Sequence, residues 1–261
     1  MLRLSEAVRQ DFADVWVALD GLSGSKAREI LQRISKLPFR VGVKAGLELC
    51  TDVGVHAVVS SADHLDIPVF LDLKFKDIPN TMAGAAKAAA RYHPHIFNVH
   101  ASAGVAGMRA AVHNRGRSMV FAVTVLTSID DYECQKIYGG NVRQTVSHFG
   151  MMVVEAGLQG VICSGQDLEV FAEEPGLFDD LYKLTPGVRP TWAPTVGDQK
   201  RVVTPRDAIM AGASGIVIGR PVLQPPEGTT IEEAIQLVVR EVNQAFEDRG
   251  AGPQRAERGA P

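Results

Sequence analysis

Apolar residues along this chain fall into two kinds of run that take turns. Short, nearly continuous runs at 15–19 (VWVAL), 40–44 (RVGVK), 69–74 (VFLDLK), 95–100 (HIFNVH), 119–126 (MVFAVTVL), 160–163 (GVIC), 181–185 (LYKLT) and 215–219 (GIVIG) read as strands. Their near-continuous hydrophobicity suits a parallel sheet covered on both faces. Between them lie stretches with helical spacing, such as SGSKAREILQRISKL, TMAGAAKAAARY, GVAGMRAAVHN, RQTVSHFGMMVVEAG and TPRDAIMAGA, with TTIEEAIQLVVREVNQAFED after the last strand. Several open on Ser or Thr and others close on Gly or Asn, the usual end signals. Eight strands, each followed by a helix, predict an α/β protein of the (β/α)8 TIM barrel type. An open doubly wound sheet is the alternative, but no Gly-x-Gly-x-x-Gly turn follows the first strand. No linker or composition shift divides the chain, so residues 1–249 read as one domain. The tail, 250–261, is rich in Gly, Ala, Arg and Pro with almost nothing to bury and reads as disordered.

Composition narrows the class by exclusion. The chain has 261 residues, 46% hydrophobic and 22% charged, values of an ordinary soluble globular protein. A formal net charge of -3 leaves no basic field for nucleic acid, so an anionic ligand has to be met by local groups. Cys50, Cys134 and Cys163 have neither metal-ligand nor redox spacing and read as reduced thiols. Acidic residues interrupt the N-terminus where a secretory signal needs an apolar run, and no later segment approaches a membrane span. A cytoplasmic enzyme-sized protein, with no nucleic-acid or membrane partner, is the expectation.

On a (β/α)8 barrel, chemistry sits where the strands end and their loops begin. Asp20 ends the first strand, Lys44 the second, Asp72 and Lys74 the third, Asn98 and His100 the fourth. Thr127 follows the fifth, Arg189 the seventh, and Gly219 and Arg220 the eighth. Nearly every strand thus delivers a polar group to one rim. The third is the densest: VFLDLKFKDIPNT, 69–81, places Asp72, Lys74, Lys76 and Asp77 within a few residues. Alternation puts Phe70, Asp72 and Lys74 on one face and Val69, Leu71 and Leu73 on the other; Lys76 is expected to lie opposite the catalytic face. Taken alone, Asp72 and Lys74 could be a structural ion pair; the polar groups arriving from the other strands argue for a site.

Ammoniums alternating with the carboxylates of Asp20, Asp72 and Asp77 keep their protons despite burial, and an ammonium so held can protonate a carbanion. No His/Cys cluster with metal-ligand spacing accompanies them, so a metal-free acid-base site is expected. His100 reads equally as structural or catalytic. Gly219 and Arg220 suit a phosphate ester, because bare backbone and a guanidinium fork both meet oxyanions well. The Pro- and Gly-rich loop 185–205 carries Arg189 and Gln199 and reads as a lid over 186–201.

The stretch DLKFKDIPNT resembles the Asp-x-Lys-x-x-Asp-Ile-Pro-x-Thr signature of the orotidine 5'-monophosphate decarboxylases. VALD, VKAG, TVLTS, TPGVRP, DQKRVVTP and IGRP are similar to further stretches of that family, in order, from about Asp14 to the last helix. The resemblance implies conversion of orotidine 5'-monophosphate to UMP and carbon dioxide, the last step of de novo pyrimidine nucleotide synthesis, with no metal or cofactor. It implies Asp72 beside the scissile carboxylate and Lys74 as proton donor to C6. Asp77, with Ile78 and Thr81 beside it, would serve the partner's site across a homodimer interface. Asp20 and Lys44 would contact the ribose and complete the charge array, and Thr127 would lie near the pyrimidine. Arg189, Gln199, Gly219 and Arg220 would hold the phosphate. Lys76 departs from the family, where His is frequent. Two other readings share some of these residues. A metal-dependent sugar-phosphate lyase of the same barrel suprafamily has Asp-x-Lys-x-x-Asp without the Ile-Pro-Asn-Thr continuation. A silent phosphate-binding barrel acting as a nucleotide sensor gains nothing from carboxylates beside an anionic ligand.

Overall fold

The structure, a computed structural model, describes residues 14–193 and 203–250. Eight parallel strands pair in chain order and close into a barrel: β1 (Val15–Ala18), β2 (Gly42–Gly46), β3 (Val69–Phe75), β4 (Ile96–His100), β5 (Met119–Val123), β6 (Gly160–Ile162), β7 (Tyr182–Thr185) and β8 (Gly215–Ile218). Around them run α1 (Gly24–Ile34), α2 (Leu47–Val53), α3 (Val55–Asp63), α4 (Pro79–Ala90), α5 (Gly104–His113), α6 (Asp131–Tyr138), α7 (Val142–Ala156), α8 (Leu168–Ala172), α9 (Pro205–Met210), α10 (Arg220–Leu223) and α11 (Ile231–Asp248). The expected (β/α)8 architecture is therefore present. Of the tail expected at 250–261, residues 251–261 lie outside the described residues. No helix among those described is long and apolar enough to cross a membrane.

The helix ends follow their sequence signals. Ser23 caps α1 by accepting from the Lys26 N–H, and Thr230 and Glu233 form a reciprocal capping box at α11. Asn141 and Gln144 do the same for α7, which stops at Gly157 in the left-handed conformation. Three places differ from expectation, the first being β2, which runs two residues later than 40–44 and so holds Lys44 in its middle and not at its end. β5 ends at Val123 rather than 126, and the segment after β2 is helical in two pieces because Gly54, at φ 81°, cuts α2 from α3.

Strand alternation sorts two cores. Val17, Val43, Leu71 and Ile216 point outward into the layer shared with the helices. Trp16, Phe70, Phe121 and Leu184 point inward, with Tyr182 packed against them. The Trp16 and Phe70 rings meet edge-on at 6.1 Å, and those of Phe121 and Tyr182 stack at 5.4 Å. Such rings fit because neighbouring strands give way. A Cβ at Gly42 would lie 2.4 Å from the Trp16 ring, and one at Gly215 would lie 2.2 Å from the Tyr182 hydroxyl. Burying each of the two Phe side chains contributes roughly 1.5–3 kcal/mol, and together the rings plug the barrel axis below the rim.

Candidate active site

β3 carries the densest charge and also the least regular backbone. Phe70 pairs with Ile96 and Leu71 with Phe97, but the next partners are Phe75 and Val99, so β3 spends extra residues between two contacts with β4. Within that bulge Lys74 has φ 53°, the left-handed region that residues with a Cβ seldom occupy. Its backbone N–H turns to the side chain of Asn98 on β4, whose Oδ1 accepts it at 2.7 Å.

Four charged side chains form a chain across the rim. The Lys44 Nζ donates to Asp20 Oδ2 at 2.6 Å and to Asp72 Oδ2 at 2.9 Å, and the Lys74 Nζ donates to Asp72 Oδ1 at 2.6 Å. The Asn98 Nδ2 adds a third donor to Asp72, at 2.7 Å. Gly46 leaves room for the Asp20–Lys44 contact, since a Cβ there would lie 2.2 Å from Asp20 Oδ1. Lys44 and Asp72 are only 7% and 8% exposed, so their charges depend on one another. Burial pulls the Lys44 ammonium towards neutrality, but Asp72 and Asp20 outweigh it and raise its pKa above the ordinary lysine value. Burial pushes Asp72 the other way, and Lys44 and Lys74 overcome it, bringing the carboxyl down to about 2.

His100 ends β4 beside this array. Burial, then the charges of Lys76 and Lys74, lower its pKa against the pull of Asp72, which leaves a neutral imidazole at neutral pH. Lys76 is thus electrostatically close to the site, contrary to the expectation that it lies opposite; counting by twos from Asp72 and Lys74 in fact puts it on their face.

The rim opens on a cavity of about 290 Å³. Asp20, Lys44, Asp72 and Lys74 line the arc above β1 to β3, and Thr127, Arg189, Gly219 and Arg220 line the remainder. Phe70, Val123, Ile162 and Val217 give it apolar walls. One lining residue that the sequence reading passed over, Ser164 after β6, is held by a reciprocal cap with Asp167. The S-x-x-D spacing of SGQD was its legible signal. The backbone N–H of Arg189 donates to the Val203 carbonyl at 2.8 Å, clasping the two ends of the loop after β7. Gln199 and the half of the expected lid from 194 to 201 lie outside the described residues.

Asp77, Ile78 and Thr81 are not brought into this cavity by their own chain. All three are exposed, Ile78 by 66%. Asp77 accepts the Ile78 N–H at 2.7 Å where α4 begins. Among the described residues, no three His, Cys, Asp or Glu side chains gather as a metal would require. The space between the Asp20 and Asp72 carboxylates is filled by the Lys44 ammonium. Chemically, the cavity offers fixed alternating charge on one arc, two guanidinium-bearing residues on another and apolar walls between.

Comparison with known proteins agrees with this arrangement. The profile of the "Orotidine 5'-phosphate decarboxylase / HUMPS family" matches residues 13–234. The chain is 36% identical over 254 residues to the orotidine 5'-phosphate decarboxylase of Moorella thermoacetica, covering 93% of this chain and 98% of that one. It is 40% identical over 226 residues to that of Alcanivorax borkumensis, covering 85% and 95%. The crystal structure of orotidine 5'-phosphate decarboxylase from Lactobacillus acidophilus superposes with a TM-score of 0.75 at 30% identity, over 89% of this chain and 100% of the other. A profile match over most of the folded chain, relatives aligned nearly end to end and a shared barrel together place this chain in the orotidine 5'-phosphate decarboxylase / HUMPS family.

Proposed function

We propose that the protein converts orotidine 5'-monophosphate to UMP and carbon dioxide, the last step of de novo pyrimidine nucleotide synthesis, without a metal or cofactor. The observation that carries this reading is the unbroken series Asp20–Lys44–Asp72–Lys74 at one arc of a cavity whose other arc carries Arg189, Gly219 and Arg220. Asp72 stays ionised beside the substrate's carboxylate, so departure of carbon dioxide relieves an anion–anion contact. The C6–carboxylate bond breaks, its electron pair remains on C6, and the Lys74 ammonium delivers a proton to that carbon. Water then returns a proton to Lys74. The carbanion has no adjacent carbonyl to absorb its charge, so fixed positive charge must stabilise it.

Geometry favours Lys74 over Lys44 as the donor. The Lys44 side chain is 9% exposed and bound by two carboxylates, whereas that of Lys74 is 28% exposed and bound by one. Lys44 instead keeps Asp72 charged and, with Asp20, meets the ribose. Thr127 faces the pyrimidine, and Arg189, Gln199, Gly219 and Arg220 hold the phosphate, whose binding energy organises the distant charges. Asp77, Ile78 and Thr81 are assigned to the partner's pocket in a homodimer. Their joint exposure next to the rim supports this, since a large apolar side chain such as Ile78 in the open suits an interface. A cytoplasmic location belongs to the same reading, in keeping with three buried, unpaired cysteines.

Loss of absorbance of orotidine 5'-monophosphate, followed before and after exhaustive chelation, tests the proposal. Turnover should be unchanged by chelation, because Lys44 and Lys74 supply the positive charge that a metal would provide. Turnover abolished by chelation and restored by magnesium would favour the metal-dependent sugar-phosphate lyase instead.

A further inference from the structure

Asn98 lies in the middle of β4 with no exposed surface. Its carboxamide joins two groups that are distant in sequence from it and close to each other in function. Oδ1 accepts the backbone N–H of Lys74 at 2.7 Å, and Nδ2 donates to Asp72 Oδ1 at 2.7 Å. The first contact meets the backbone where the register of β3 and β4 shifts, between Leu71 and Phe75. The second meets the same carboxylate oxygen that receives the Lys74 ammonium at 2.6 Å. Only an amide turned this way serves both, since one partner is a donor and the other an acceptor. An ionised acid would have no proton for Asp72. A serine would be too short to span the pair, and a glutamine would need an extra methylene's room at a position with no exposed surface.

We infer that Asn98 is a positioning residue of the proposed decarboxylation: one side chain fixes both the left-handed backbone of Lys74 and the carboxylate that anchors its ammonium. This rests on the function proposed above. Lys74 is thereby held at its backbone by the amide directly and at its tip through Asp72. Neither contact requires substrate, so the clamp is part of the resting protein and acts through Lys74 and Asp72 alone.

The test uses Asn98→Ala in the full-length protein, with UMP titration to count intact sites. Its kcat per UMP-binding site should fall by about 100-fold, the scale of a reacting group misplaced by an ångström, with KM little changed. A merely structural role would lower kcat only in proportion to the UMP sites lost, and that result would overturn the inference. Should Asn98→Ala fold too poorly to count sites, Asn98→Asp preserves size and the acceptor for Lys74. Its activity relative to the parent should rise as pH is lowered, because the introduced carboxyl donates to Asp72 only when protonated; a ratio independent of pH would sink the idea. Hydrogen exchange at the Lys74 amide separates this inference from the function itself. Protection should be lost in Asn98→Ala while β5 amides keep theirs, and retained protection counts against the clamp. If the parent fails to turn over orotidine 5'-monophosphate, the function falls, while exchange still decides the clamp.

Discussion

Asp72 and Asp14 are two carboxylates withdrawn from water at opposite ends of one barrel, and they have opposite fates. Asp14 immediately precedes β1, at the N-terminal end; burial pushes its carboxyl up to about 7, and the charge of Arg249, beyond α11, only partly restrains it. The Arg249 guanidinium is turned to the carbonyls of Ile209 and Ala213, at 2.5 and 2.9 Å. Burial acts on Asp72 too, but two ammoniums within 2.9 Å reverse it and bring the carboxyl down to about 2. Withdrawal from water therefore does not by itself make a reactive anion. The cations fastened to it decide whether the carboxyl keeps its charge.

Removing one of those cations should bring Asp72 closer to the condition of Asp14 and give the largest effect. Lys74→Ala is expected to lower kcat by at least about 1000-fold, since it deletes the proposed proton donor and the nearest stabilising charge together. Steady-state assay with orotidine 5'-monophosphate checks this. The same variant probes the dimer: mixed and exchanged with inactive Asp77→Ala subunits, half of the pockets in each heterodimer would carry neither defect. Random pairing would then restore about one quarter of the parent's sites, as two-fold symmetry requires. No recovery after proven exchange would return Asp77 to its own chain's pocket.

Arg220→Ala should leave both carboxylates as they are and weaken only the far arc. KM should rise by about 10–100-fold, the worth of a charged hydrogen bond, with a smaller fall in kcat. The phosphate-free nucleoside, a poor substrate from the outset, should lose little more. Equal damage to ester and nucleoside would refute the phosphate assignment.

The smallest effect is expected at Asp14 and appears in stability rather than turnover. Its folded pKa, about 7, stands above the unfolded value of 3.8, so its favourable contribution is full below about 3.8 and is lost as pH rises through about 7. Asp72 has the opposite sign: its contribution is present above 3.8 and is lost as pH falls towards 2. Asp14→Asn should therefore flatten the decline in stability between about pH 4 and 7, by on the order of 1–2 kcal/mol once remaining exposure is allowed for, with kcat unchanged. Denaturant midpoints measured across that range provide the check.

The strands were legible because a parallel barrel strand is covered on both faces and announces itself as an apolar run. The rim charges were legible for the complementary reason, that Asp20, Lys44, Asp72 and Lys74 end such runs where ordinary packing has no use for them. What escaped depended on backbone geometry. Gly54 hid the helices after β2 by dividing them into pieces too short to show a period. Nothing in DLKFK marks the bulge, since Lys74 adopts φ 53° without the glycine that usually signals it. Asn98 was visible among the polar residues of the fourth strand, but it lies mid-strand and its double contact arises only once β3 slips against β4. Ile78 and Thr81 came from the family resemblance, because exposed residues at a helix start carry no periodic signal.

The ring plug formed by Trp16, Phe70, Phe121 and Tyr182 has a bearing on traffic. Among the described residues it closes the cavity along the barrel axis, so on the proposed function nucleotide, gas and solvent would enter and leave by the rim. Arrival and departure are then linked. Any narrowing of the rim delays both by a similar factor, stretching residence time while leaving equilibrium affinity nearly constant.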